Sequence, residues 1–325
     1  MPQVSEDQQN FVTALPDEKN NPAEDILKGL QKEQKELPTK YFYDERGSKL
    51  FDQICTLDAY YLTRTEIGIL SENIDEIVGL VEPRPIIIEF GSGSSAKTRI
   101  LLDHLTDVTA YMPVDIASEQ LSQTVEALRE EYPEIEIISV NADYTRAFNL
   151  PLVDSMVSNK LAFFPGSSLG NFYPEEAAAF MDNVGQVIGP GGGFLIGVDL
   201  QKDHEVLNRA YNDPVGLTAA FNLNMLVHIN RTASANFDPD KFTHHAFYNC
   251  GESRIEMHLI SKSDQTVQLA GEDVFIRAGE NILTEVSYKY SLESFTALAA
   301  KAGFETRKTW LDSKKYFSVH YLVRN

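Results

Sequence analysis

Glu89-Phe90-Gly91-Ser92-Gly93-Ser94-Ser95-Ala96-Lys97-Thr98 is the stretch of this chain in which residue types and spacing carry the most chemistry. An apolar run, Ile86-Ile87-Ile88, ends at an acidic residue and turns over two glycines toward a helix. Glycines let a backbone approach a ligand closely, and the N–H groups that open a helix point at it. The pattern is close to GxGxxG, with Ala96 at the third position, a replacement such loops tolerate. Gly91 and Lys97 do not have the spacing of a GxxxxGK phosphate loop. A nucleotide-like cofactor is therefore expected at this turn. Asp115, near the end of the next apolar run, is placed to accept from ribose hydroxyls, although a helix N-cap is an equally ordinary use for it. Asp143-Tyr144 closes a third run, where a carboxylate could accept from an adenine amino group. Such a set serves a dinucleotide or S-adenosylmethionine, and the turn alone does not separate them.

The elements that must hold these residues alternate from about residue 85. Apolar runs predict strands at Ile86–Phe90, Ala110–Ile116, Glu136–Val140, Lys160–Phe164 and Phe194–Leu200. Between them, helices are expected over Thr98–Leu105, around Leu121, Val125 and Leu128, and over Ala177–Ile188. This alternation predicts a doubly wound parallel sheet in an α/β protein. It breaks at about residue 201 and resumes with a helix at Leu292–Ala302 and strands near Glu305–Trp310 and Phe317–Val323. Two closing strands with no helix between them suggest an edge hairpin. Five strands plus a hairpin make a Rossmann-like, seven-stranded sheet of the class I methyltransferase kind, which favours S-adenosylmethionine. The interruption mixes a helix, an Asn-rich region and alternating strands such as Arg254–Leu259, and reads as an inserted α+β part. Pro22–Glu36 has helical spacing and ends before Pro38.

The expected division is a flexible tail over 1–22, a methyltransferase domain over 65–200 and 289–325, and a substrate-binding domain over 23–64 and 201–288. The chain of 325 residues carries a net charge of -20. That balance argues against nucleic-acid and anionic membrane partners, which need a basic face. Cys55 and Cys250 show no metal-ligand spacing, and a buried thiol is expected for each. No metal is expected, nor a signal peptide or membrane span. A cytoplasmic, monomeric enzyme of a small molecule fits these properties.

Three blocks make the reading more specific: Leu37-Pro38-Thr39-Lys40-Tyr41-Phe42-Tyr43-Asp44, Gly47-Ser48-Lys49-Leu50-Phe51-Asp52 and Tyr60-Tyr61-Leu62-Thr63-Arg64-Thr65-Glu66. With the glycine turn, Gly166-Ser167-Ser168-Leu169-Gly170-Asn171, Arg209-Ala210-Tyr211, Thr218-Ala219-Ala220-Phe221-Asn222, Arg254-Ile255-Glu256-Met257 and Leu283-Thr284-Glu285-Val286-Ser287, they form an ordered series. The series closely resembles the histidine N-alpha-methyltransferase family of ergothioneine biosynthesis, from about residue 24 onward.

The resemblance implies that S-adenosylmethionine methylates the alpha-amino group of L-histidine three times, giving hercynine at an active site between the two domains. It implies that Gly91, Lys97, Asp115, Asp143 and Tyr144 hold the donor. Asn171 and Tyr211 would hold the substrate carboxylate, with Tyr60 beside them. Glu285 and Ser287 would meet the imidazole and Met257 would pack on it, while Tyr43, Phe51 and Gly166 would surround the amine. Spacing alone reads Tyr43 and Tyr60 as packing residues, Asn171 as a turn, Met257 as core and Glu285 as a solvent-facing charge. Two alternatives stay open: a methyltransferase for tryptophan or another aromatic amino acid, and a non-catalytic adenosyl-nucleotide-binding protein.

Overall fold

The computed structural model describes residues 11–13, 21–93, 95–116, 118–144, 150 and 159–325. In chain order the elements are β1 (Phe11–Thr13), α1 (Pro22–Leu30), α2 (Glu45–Cys55), α3 (Leu62–Glu72), α4 (Ile74–Leu80), β2 (Ile86–Phe90), α5 (Ala96–Leu102), β3 (Ala110–Asp115), α6 (Ser118–Glu131), β4 (Glu136–Ile137), β5 (Ser139–Asn141), β6 (Lys160–Phe164), α7 (Pro174–Ile188) and β7 (Gly193–Asp199). They continue with α8 (His204–Tyr211), α9 (Leu217–Thr232), β8 (Phe242–Asn249), β9 (Arg254–Ser261), β10 (Gln265–Leu269), β11 (Glu272–Ile276), β12 (Asn281–Tyr288), α10 (Leu292–Lys301), β13 (Phe304–Leu311) and β14 (Phe317–Arg324). The chain divides into two compact units, 1–15 with 64–200 and 290–325, and 16–63 with 201–289.

The first unit is built on a sheet of order β1-β5-β3-β2-β6-β7-β14-β13, with β4 also on β3. β2, β3, β5, β6 and β7 are parallel, and β14 runs antiparallel to both β7 and β13. All five residues of β2 and all seven of β7 are buried, as a parallel sheet covered on both faces requires. This is the expected Rossmann-like, seven-stranded α/β arrangement with its closing hairpin. The expected third strand is split into β4 and β5 at Ile138, and β1 adds a strand beyond them. Of the expected tail, only Phe11–Thr13, Asn21 and Pro22 fall within the described residues. The first three are strand, and Pro22 opens α1. Strand order reverses between β2 and β6, so the carboxyl ends of these neighbours form the switch point where open α/β sheets bind ligands.

The second unit holds a three-stranded antiparallel sheet, β12-β9-β8, and the hairpin β10-β11. α8 and α9 pack on β8. Asp44 caps α2 by accepting from the Gly47 N–H at 2.7 Å, and it also accepts from the Asn224 side chain of α9 at 2.8 Å. α1 ends at Leu30 rather than Glu36. The chain doubles back over Gly29, where a Cβ would lie 2.3 Å from the Glu36 carbonyl oxygen, and Glu36 donates to the Gly29 carbonyl at 3.1 Å. The returning segment is tied to β12 by backbone bonds between Lys35, Leu37 and Leu283. Helical spacing could not reveal that tertiary contact.

Candidate functional site

In the first unit the glycine turn leaves β2 at Gly91, with φ +73, a conformation that favours glycine. A side chain there would press on the Tyr144 hydroxyl, 3.2 Å from its Cβ. The Gly91 N–H donates to the Val114 carbonyl at 2.8 Å. What Gly91 offers a ligand is therefore the absence of a side chain. A Cβ at Gly93 would meet nothing within 4 Å among the described residues. Ser94 lies outside the described residues. Beneath the turn, the buried Glu89 accepts from Thr98 of α5 at 2.5 Å and from the Tyr111 hydroxyl of β3. Burial pushes its carboxyl up to about 7, against the hydrogen bonds from Thr98 and Tyr111 and the nearby Lys97. Glu89 thus braces the turn from below.

Asp115 ends β3, half-buried, and its carbonyl accepts from the Asn141 side chain at 3.0 Å. Asp143 and Tyr144 follow β5, half-buried, and the Tyr144 ring packs on Phe90, Phe164 and Phe180. Lys97 opens α5 and pairs with Glu66 of α3 at 2.5 Å. Glu66 is 1% exposed and accepts from the Gly166 N–H through both oxygens, at 2.8 and 3.1 Å. Gly166 itself has φ +88, so its backbone conformation alone favours glycine. Asn171 ends the short turn 168–171 that follows.

The second unit gathers the aromatic candidates. Tyr43 meets Phe51 edge-on at 6.1 Å, Phe51 meets Tyr60 at 6.1 Å, and Tyr60 meets Tyr211 at 6.1 Å. Phe221 of α9 packs on both Tyr43 and Phe51. Burial, then Tyr211, holds the Tyr60 hydroxyl well above its ordinary range. Beside this cluster, β12 and β9 bring Glu285 opposite Met257 and Ser287 opposite Ile255. Directly opposed residues of an antiparallel pair share a face. A bulge between Leu283 and Glu285 sets that register, and the buried Thr284 hydroxyl donates to the Met257 carbonyl at 3.0 Å. Glu285 is partly exposed, but enough protein surrounds it that burial pushes its carboxyl up to about 7, with Lys289 pulling the other way. Tyr211 donates to Ser287 at 3.1 Å, and Lys289 donates to both.

The geometry therefore supplies two chemical surfaces. One is a glycine turn at a sheet switch point with a lysine and two aspartates; the other is an aromatic cluster beside a carboxylate and a hydroxyl. A family model described as "Histidine-specific methyltransferase, SAM-dependent" matches residues 22–324. The chain belongs to this family.

Among its relatives in the histidine-specific methyltransferase family, the chain is 40% identical over 306 residues to a histidine N-alpha-methyltransferase of Mycolicibacterium smegmatis, spanning 92% of this chain and 94% of that one. It is 40% identical over 301 residues to a histidine N-alpha-methyltransferase of Mycobacterium tuberculosis, spanning 91% and 92%. It is 30% identical over 309 residues to ergothioneine biosynthesis protein 1 of Neurospora crassa, covering 90% of this chain and 33% of that longer protein. A SAM-dependent family needs a donor site, and the turn fits one: no side chain at Gly91 or Gly93, a cation at Lys97, and acceptors at Asp115 and Asp143.

Three charged residues take roles that spacing along the chain does not assign. Glu66 ends the block Tyr60–Glu66, but its partners Lys97 and Gly166 are distant in sequence. Glu89 reads from spacing as a strand-end charge and is instead a buried brace. Lys289 follows Ser287 by one strand alternation, which was a usable signal. One expectation is corrected: the thiols are not both buried. Cys250 is exposed and Cys55 is partly so, because Cys250 falls in the turn between β8 and β9. Among the described residues no group of side chains is arranged to hold a metal, and no helix is long and apolar enough to cross a membrane.

Proposed function

We propose that this protein transfers three methyl groups from S-adenosylmethionine to the alpha-amino group of L-histidine, giving hercynine, the first step of ergothioneine biosynthesis, in the cytoplasm. The observation that carries the substrate assignment is the row on β12 and β9: Glu285 opposite Met257, with Ser287 on the same face. A carboxylate accepts from a ring N–H, a hydroxyl meets the second ring nitrogen, and a thioether packs on an apolar ring face. Indole has no second ring nitrogen to satisfy the hydroxyl. Relatives that carry the histidine N-alpha-methyltransferase name and align over nine-tenths of the chain support the same reading.

Gly91, Lys97, Asp115, Asp143 and Tyr144 would hold the donor, with Lys97 supplying the cation and Asp115 an acceptor for ribose hydroxyls. When bound, the donor supplies a methyl on a positively charged sulfur, already activated for displacement. The protein's work is then positioning and the removal of water. Asn171 and Tyr211 would hold the substrate carboxylate, with Tyr60 beside them. Tyr43 and Phe51 would face the nitrogen as it turns from amine to permanent cation, which an aromatic face tolerates. Gly166 adds no side-chain bulk near the growing group. The amine loses its proton to solvent before it attacks.

Mass spectrometry of purified protein with S-adenosylmethionine and L-histidine tests the assignment. The expected product carries three added methyls on histidine, and L-tryptophan offered alongside stays unmodified. No mass gain on histidine overturns the reading.

A further inference from the structure

Lys289 is 2% exposed. Lysine is almost never buried to this degree without partners. Its Nζ donates to Ser287 Oγ at 2.9 Å and to Tyr211 Oη at 3.1 Å, and it stands 5.0 Å from the centre of the Tyr211 ring. Tyr211 in turn donates to Ser287 at 3.1 Å, closing a triangle. An ammonium has donors and no acceptor, so both hydroxyl oxygens must accept from it. With histidine bound, Tyr211 turns its hydrogen to the substrate carboxylate, but Lys289 still donates to both hydroxyl oxygens, so the hydrogen of Ser287 is turned out of the triangle. Glu285 lies one alternation further along the same face of β12.

We propose that Lys289 is a positioning residue of the ring subsite: it commits Ser287 to donate, so that the subsite takes a neutral azole ring with its bare nitrogen toward Ser287 and its N–H toward Glu285. The inference rests on the histidine reading and deepens it by naming the protonation state and tautomer selected. A doubly protonated ring, with two N–H donors, meets a donor at Ser287 and a cation behind it. The same ammonium draws Glu285 toward its ionised, accepting form against the effect of burial. Within this unit Glu285 is faced by Lys289 and Tyr60, and Tyr211, Cys55 and Tyr43 stand around Tyr60. Donor at one nitrogen and acceptor at the other is a discrimination that apolar packing cannot supply.

Calorimetry of L-histidine binding in the presence of S-adenosylhomocysteine tests it. Lys289→Met keeps the stem and removes the ammonium. Histidine affinity is expected to fall roughly ten- to hundredfold, the usual range for a buried charged hydrogen bond, while S-adenosylhomocysteine affinity holds within about twofold. In a Ser287→Ala background the same substitution is expected to cost at least about threefold less, because its effect passes through Ser287. Unchanged histidine affinity, or a loss undiminished in the Ser287→Ala background, overturns the proposal. If the methionine variant does not bind S-adenosylhomocysteine, Lys289→Gln is taken through the same cycle and judged by the same outcomes. Glu285→Gln separates the two levels: intact histidine affinity there overturns the placing of the ring at Glu285, whereas unsubstituted protein that binds no histidine overturns the histidine reading itself. A loss in Glu285→Gln with none in Lys289→Met overturns only the role of Lys289.

Discussion

Glu285 stands directly opposite Met257 across β12 and β9, because the bulge at Thr284 inserts one residue before the pair. The carboxylate and the thioether therefore share the face that also carries Ser287. This gives the first prediction. Glu285→Ala should weaken L-histidine binding by about 1.5–3 kcal/mol, the range for a hydrogen bond to a charged group. S-adenosylhomocysteine binding should change little. Calorimetry with each ligand measures both, and equal losses would reject the assignment of Glu285 to the ring.

The second prediction concerns pH. Burial raises the Glu285 carboxyl to about 7 in the folded protein. The accepting carboxylate is present above that value and is lost as pH falls through it. Histidine kcat/KM should therefore drop on the acid side with a component centred near 7, and Glu285→Gln should remove that component. A pH profile that keeps the same shape in the variant would show that another group titrates.

Met257 is 1% exposed. Met257→Ala should cost about 2–5 kcal/mol of stability through lost burial and a residual cavity, as read by urea unfolding. Histidine affinity should fall as well, since in the proposed function one side chain serves both packing and the ring. Unaltered affinity in a folded variant would assign Met257 to the core alone.

Glu89 carries a different pH signature. Its folded carboxyl is raised from 4.5 to about 7 by burial. The unfolded chain ionises first as pH rises, so this group lowers stability between about 4.5 and 7, and the loss is complete above 7. The difference amounts to about 3 kcal/mol. Glu89→Gln keeps an acceptor for Thr98 and Tyr111 and should flatten that part of the stability profile. Urea unfolding at pH 5 and pH 8 compares the two proteins, and parallel profiles would count against the buried neutral carboxyl.

Glu66 couples Lys97 to the Gly166 backbone. Glu66→Ala removes the acceptor of both, and should cost about 3 kcal/mol in stability and also weaken S-adenosylhomocysteine binding by freeing Lys97 from its fixed position. Glu66→Gln should retain the bond from Gly166 but lose the ion pair, and so fall between. Equal donor-product affinity in all three proteins would separate Glu66 from the donor site.

The sheet was legible because burial on both faces writes itself as continuous apolar runs: Ile86–Phe90 and Phe194–Leu200 could be placed from those runs alone. Gly91 and Asp115 were legible because strand ends are marked by a change in residue type. The end of α1 was not, since Leu30 stops there through a contact between Gly29 and Glu36. The split at Ile138 and the bulge at Thr284 depend on pairing across strands, which spacing along one strand does not record. Glu66 and Lys289 escaped for a related reason. Each takes its meaning from partners, Gly166 or Tyr211, that lie far away in sequence.

The bulge at Thr284 has a genetic consequence. Side chains alternate across a strand, so slipping the strand by one residue exchanges its two faces. Loss of the Thr284 codon would remove the bulge and leave Glu285 opposite Met257, whereas loss of the Val286 codon would make Glu285 and Ser287 neighbours on the strand and turn them to opposite faces. The row of Glu285 and Ser287 is thus stored in a reading frame of the backbone as much as in the residues it displays, and it is open to a one-step change that no substitution could imitate.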